Sequence, residues 1–106
     1  MKDIEKHVKS IARDLSTGFD GELNEDDEPM TAYDYLTDVL DIEYIIGSDG
    51  GYRGARILVA FGGPNIWVDT KSMTVDGSWW MDHFSQSFDD EIGLDDALED
   101  LYACTM

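Results

Sequence analysis

The spacing of apolar side chains changes period twice along this chain. Ile4, Val8, Ile11, Leu15 and Phe19 recur every three or four positions, which predicts an amphipathic helix over residues 3–19. Lys2, Lys6, Lys9 and Arg13 lie off that stripe, and Gly18 and Gly21 end it. Residues 20–29, Asp-Gly-Glu-Leu-Asn-Glu-Asp-Asp-Glu-Pro, read as a loop. A second, short helix is expected over 31–40. Thr31 can cap it, Asp34 stands where a capping-box acid belongs, and Ala32, Leu36, Val39 and Leu40 form its apolar face.

The period then becomes two. Ile42, Tyr44 and Ile46 alternate in a first strand, and Ser48-Asp49-Gly50-Gly51 makes a tight turn. A second strand covers 53–61. Its run Ile57-Leu58-Val59-Ala60-Phe61 reads as buried on both faces, hence central. Gly62-Gly63-Pro64 turns the chain into a third strand at 65–69, and a fourth follows at 73–80 after a turn near Lys71. Loops this short favour antiparallel neighbours. The period returns to helical over 87–103, where Leu94, Ala97, Leu98, Leu101 and Tyr102 line one face. Ser87 is the expected cap of that helix, with Asp90 three residues on, and Gly93 is expected to bend it. The elements run α-α-β-β-β-β-α. Helices must cover at least one sheet face, so the expectation is a single two-layer α+β domain over residues 1–106, built on a four-stranded antiparallel meander.

Composition narrows the function classes. The 106 residues carry 24 acids and 7 bases, a formal charge of −17. That field repels phosphates and anionic lipid surfaces, so direct nucleic-acid or membrane binding is not expected. One cysteine, Cys104, cannot form an internal disulfide. The first residues lack an apolar signal core, and the expected setting is the cytoplasm of a bacterial host cell.

Catalytic patterns fail on inspection. Residues 47–54 are glycine-rich but contain no phosphate-binding loop sequence. Asp20, Glu22 and Asn24 have alternate spacing, but Glu25 and Thr31 stand where an EF-hand needs glycine and a bidentate glutamate. His83 is read as part of a loop after Trp79-Trp80, beside an Asp82 able to orient an imidazole, with no nucleophile spaced to complete a site. The expectation is a non-enzyme with no cofactor and no metal.

The charge pattern is the stronger signal. From Asp14 to Tyr52 there are 12 acids and no lysine or arginine, and from Ser72 to Met106 there are nine acids and again no base. Asp95 and Glu99 are four apart on the last helix, as are Asp96 and Asp100, opposite its apolar stripe. Such like-charge pairs destabilise a helix by roughly 0.2–0.5 kcal/mol each. Solubility asks for a net charge of only about 2–8 in magnitude. Carboxylates one turn apart are spaced by about 5–6 Å, the scale of neighbouring phosphates on a nucleic-acid strand.

The segment Tyr52-Arg53-Gly54-Ala55-Arg56-Ile57-Leu58-Val59-Ala60-Phe61-Gly62-Gly63-Pro64-Asn65-Ile66-Trp67-Val68-Asp69-Thr70, with Trp79-Trp80 and the acidic last helix, resembles small acidic proteins of phages and mobile elements in Gram-positive bacteria. In overall character the chain is similar to anti-CRISPR and anti-restriction DNA mimics. That resemblance implies an inhibitor of a basic nucleic-acid-handling protein, a defence nuclease such as Cas9 or a restriction enzyme, by nucleic-acid mimicry. The expected contact residues are Asp89, Asp90, Glu91, Asp95, Asp96, Glu99 and Asp100, then Glu25, Asp26, Asp27 and Glu28, with Trp80 as an aromatic anchor. The alternative expectation is an interaction module, for example a homodimer, whose acidic face is merely solvating.

Overall fold

The computed structural model describes residues 3–24 and 26–104. Helix α1, Asp3–Thr17, buries Ile4, Val8, Ala12 and Leu15. It stops short of Phe19 because Gly18 turns left-handed, at φ +64°, into a short 3₁₀ turn over Phe19–Gly21. Phe19 still reaches the core, its ring 5.4 Å from that of Tyr35.

Helix α2 spans only Ala32–Thr37 and carries the expected capping box. The Asp34 N–H donates to Thr31 Oγ1 at 3.2 Å, and the Thr31 N–H returns to Asp34 Oδ2 at 2.9 Å. Val39 and Leu40 lie beyond the helix. Val39 packs on the core, whereas Leu40 is exposed.

The sheet has five strands, not four: β1 (Asp41–Ile46), β2 (Tyr52–Ala60), β3 (Asn65–Asp69), β4 (Thr74–Trp79) and β5 (Asp82–Ser87). Each is antiparallel to the next, and spatial order follows chain order. The uncounted strand is β5. It is an edge strand, and Phe84 is its one large apolar residue, so hydrophobic alternation hardly marks it. His83 therefore belongs to a strand rather than a loop. Trp80 and Met81 form the two-residue turn between β4 and β5. The middle strand is β3; β2 sits second, and its Leu58, Val59 and Ala60 are only half-buried.

Register assigns the two faces. Ile42, Tyr44, Ala55, Ile57, Val68, Ile66, Val75 and Gly77 occupy one face, and α1, α2 and α3 close over it in one cluster with Leu94 and Leu98. Helix α1 lies over β4 and β5, α3 over β2, and α2 against α3. Gly77 lets α1 sit directly on the sheet, since a Cβ there would lie 2.5 Å from Val8 Cγ2. On the other face none of Arg56, Leu58, Trp67, Asp69, Asp76 or Ser78 is buried. There Arg56 stacks 4.5 Å from the Trp67 ring and reaches Glu43 and Asp69, each at 3.9 Å. The slab measures 42 × 38 × 23 Å.

Helix α3 runs Leu94–Cys104, so it starts well after residue 87. Ser87 closes β5, and Asp90 is the true cap. Asp90 Oδ1 accepts the Leu94 N–H at 2.6 Å and Oδ2 accepts the Asp95 N–H at 2.9 Å. Gly93, at φ +74°, lies before the helix rather than bending it.

Candidate functional site

The meander gives the sheet two distinct ends. The start of β1, the β2–β3 loop and the β4–β5 turn lie at one; the β1–β2 and β3–β4 turns lie at the other. Helix α1 starts at the first end, where Ile4 and Asp3 adjoin Trp79 and Trp80 in a shallow cleft. Its last turn reaches the second end, where Leu15 O accepts the Glu91 N–H at 3.4 Å and Ser16 Oγ accepts the Asp89 N–H at 2.9 Å.

The acids expected to act together gather at that second end. Asp89 and Glu91 are exposed on the segment tied to α1. Apolar burial of Leu94, Ala97 and Leu98 turns Asp96, Glu99 and Asp100 outward. Three of the expected contact acids also hold the fold. Asp90 caps α3, Asp95 accepts the Tyr52 hydroxyl at 2.8 Å, and Asp100 accepts the Tyr33 hydroxyl at 2.8 Å. Hydrogen bonding to Asp100 raises the Tyr33 phenol above its usual pKa, and burial raises it further. Among the described residues, none of the acids from Asp26 to Glu28 or from Asp89 to Asp100 takes part in an ion pair.

The acidic loop is a built structure. Leu23 and Pro29 bridge, and Asn24 organises the turn between them. Its Oδ1 accepts the N–H groups of Asp26 (2.9 Å) and Glu28 (3.1 Å), and its Nδ2 donates to Asp34 Oδ2 at 2.9 Å. That amide, followed by the Thr31 N–H and hydroxyl, holds the Asp34 carboxyl below the ordinary aspartate range. Asp26, Asp27 and Glu28 are exposed on this turn. Glu25 lies outside the described residues. The hydrogen bonds Asn24–Asp34 and Tyr33–Asp100 join loop, α2 and α3, so the two acidic groups belong to one connected region. An asparagine two residues ahead of an acidic pair was the available signal for the loop's geometry, as an Asx turn.

Beside the loop lie two adjoining clefts that sequence alone did not reveal. One, of about 330 Å³, has Asp26, Asp34 and Asp38 on its wall. The other, of about 280 Å³, is lined by Ile11, Tyr35, Val39 and Val59, and Met30 and Asp38 border both. Burial, with Asp14 nearby, pushes the Tyr35 phenol up to about 12.

Trp80 stands apart from these acids. It occupies the β4–β5 turn at the first end of the sheet, 93% exposed. A strand of six residues spans about 20 Å, which separates Trp80 from the α3 acids by at least that order. The Asp82–His83 pair does not form a dyad, because strand alternation sends neighbouring side chains to opposite faces. Among the described residues no group of three or more histidine, cysteine, aspartate or glutamate side chains is placed to hold a metal ion. No helix of the described residues is long and apolar enough to cross a membrane. No protein-family model matches the chain, and no curated protein and no solved structure matches it.

Proposed function

We propose that this chain is a non-enzymatic inhibitor that docks its acidic end on the nucleic-acid-binding surface of a basic protein, a CRISPR or restriction nuclease, in the bacterial cytoplasm. The observation that carries the reading is the joined acidic region. Asp96, Glu99 and Asp100 on α3, with Asp89 and Glu91 before it, connect through Tyr33 and Asn24 to the Asp26–Glu28 turn. None of these acids is neutralised by a base among the described residues. A solvating surface gains nothing by concentrating like charge on one end, whereas a channel of lysine and arginine recognises it. Docking releases counterions from both surfaces and is steered by the field, so it is fast and salt-sensitive.

The roles divide by exposure. Asp96 and Glu99 meet the partner directly. Asp100 and Asp95 hold their helix to Tyr33 and Tyr52 while adding to the field. The apolar cleft bounded by Met30 and Asp38 gives the contact a desolvated centre beside its charged rim. The test is a competition assay. A panel of purified CRISPR and restriction nucleases is titrated with the protein in the presence of labelled target DNA. Displacement of DNA at low salt, reversed at high salt, supports the reading; no displacement from any basic nuclease in the panel overturns it.

A further inference from the structure

Seven large apolar side chains are exposed among the described residues, and four of them share one end of the sheet: Leu40 (60%), Phe61 (73%), Trp80 (93%) and Met81 (99%). They are distant in sequence. Only the meander assembles them, Leu40 ahead of β1, Phe61 after β2, and Trp80–Met81 between β4 and β5. The turn itself is unusual. Trp80 holds φ at +59°, a left-handed backbone that favours glycine at such a position. The chain thus sets a strained tryptophan and a bare methionine at the tip of a hairpin, where a glycine turn would hold the strands better.

We propose that this end is a self-association surface on which a second copy of the chain docks, tip to tip, about a two-fold axis. The inference goes beyond the inhibitory reading and stands without it. Two observations select a second copy as the occupant. The first is area: four side chains of this size contribute about 150 Å² each, so two copies bury about 1,200 Å², the lower limit of a specific interface. The second is distance. The acids of α3 lie at the opposite end, farther off than the Debye length of about 8 Å at physiological ionic strength. Repulsion between two chains of charge −17 is therefore least in this orientation. The same net charge disfavours an anionic lipid surface, and a basic protein is met better by the acidic end. The resulting dimer points two acidic ends outward.

Sedimentation velocity on the purified full chain tests the proposal, at low-micromolar and near-millimolar loading, in physiological and in high salt. The expected mass rises with concentration toward twice the 11.9 kDa of the chain, and the dimer persists or strengthens in high salt. The double variant Trp80→Ser/Met81→Ser should remain at 11.9 kDa at every loading, with an unchanged circular dichroism spectrum because neither side chain is in the core. A second variant, Phe61→Ser, should shift the dimer's concentration midpoint upward. Asp96→Lys/Glu99→Lys, at the other end, should leave self-association in place. A wild-type chain that stays monomeric at near-millimolar loading overturns the proposal. So does a tip variant that dimerises as the wild type does, or a dimer dissolved by high salt.

Discussion

Replacing Gly77 by alanine tests how α1 is seated on the sheet. Gly77 lies on the helix-covered face of β4, opposite Ile66 of β3 and Phe84 of β5. A Cβ at this position would stand 2.5 Å from Val8 Cγ2, 2.6 Å from Ile4 Cδ1 and 3.0 Å from Ile4 Cγ1. Carbon atoms in a good contact sit about 3.5–4.0 Å apart, so two contacts are too short by about 1 Å. Both neighbours are buried, Ile4 at 2% exposure and Val8 at 0%, and cannot swing into solvent. The helix must lift, or its side chains must leave their rotamers. Overpacking of this kind costs about 1–3 kcal/mol. Alanine returns part of that, since glycine in a strand interior is about 0.5–1 kcal/mol less stable. The net expectation is a loss of roughly 1–2 kcal/mol, with about 4–8 °C in Tm per kcal/mol for a domain near this size. Urea unfolding followed by circular dichroism reads it as a lower midpoint at unchanged slope. Gly63→Ala is the control, because a Cβ there meets nothing within 4 Å. It should stay within about 0.5 kcal/mol of the wild type. A Gly77→Ala midpoint equal to that of Gly63→Ala would refute the packing of α1 on β4.

Three further outcomes follow from named contacts. Asp90→Ala removes both acceptors at the start of α3 and should lower stability by about 1–2 kcal/mol in the same urea assay; a neutral result would deny the cap. The Tyr35 phenol, held up to about 12 chiefly by burial, keeps its proton in the folded state after the unfolded chain has lost it at about 10. Its contribution is therefore whole below pH 10 and disappears as pH rises from about 10 to about 12, so Tyr35→Phe should flatten the alkaline fall in the urea midpoint. Trp80→Asn should leave thermal stability unchanged or raise it, by up to about 1 kcal/mol, because asparagine tolerates the left-handed backbone that Trp80 now holds; a clear drop in Tm would show that the indole packs on the fold.

Where apolar spacing was strong, the sequence was readable. The stripe Ile4-Val8-Leu15 and the Thr31–Asp34 capping box mark α1 and α2, because each is a local pattern with one structural solution. Strand β5 escaped because an edge strand buries little, and Asp82-His83-Phe84-Ser85-Gln86-Ser87 carries one apolar anchor. That omission misplaced His83 and brought the last helix forward to Ser87. The exposed tryptophan was legible only as a choice between Trp79 and Trp80. The hairpin resolves it by keeping Trp79 in β4, partly buried on the core, and giving Trp80 to the turn. The acidic residues were visible as a list, but their arrangement was not. Sequence placed Trp80 with the α3 acids, and only the register shows them at opposite ends of the sheet. Likewise nothing local separates Asp90, a cap, from Asp96, which faces solvent; the difference lies in which N–H groups each meets.

The proposal is that the carboxylates of the α3 end engage a basic nucleic-acid-binding surface. Its most direct test is the DNA-displacement assay on the nuclease panel, run with the wild type and with Asp96→Lys/Glu99→Lys, both exposed, across a salt series. The expected outcome is displacement by the wild type that fades with salt, and a reversal variant that folds normally yet displaces DNA roughly tenfold less well. Displacement equal for both proteins, or insensitive to salt, would contradict it.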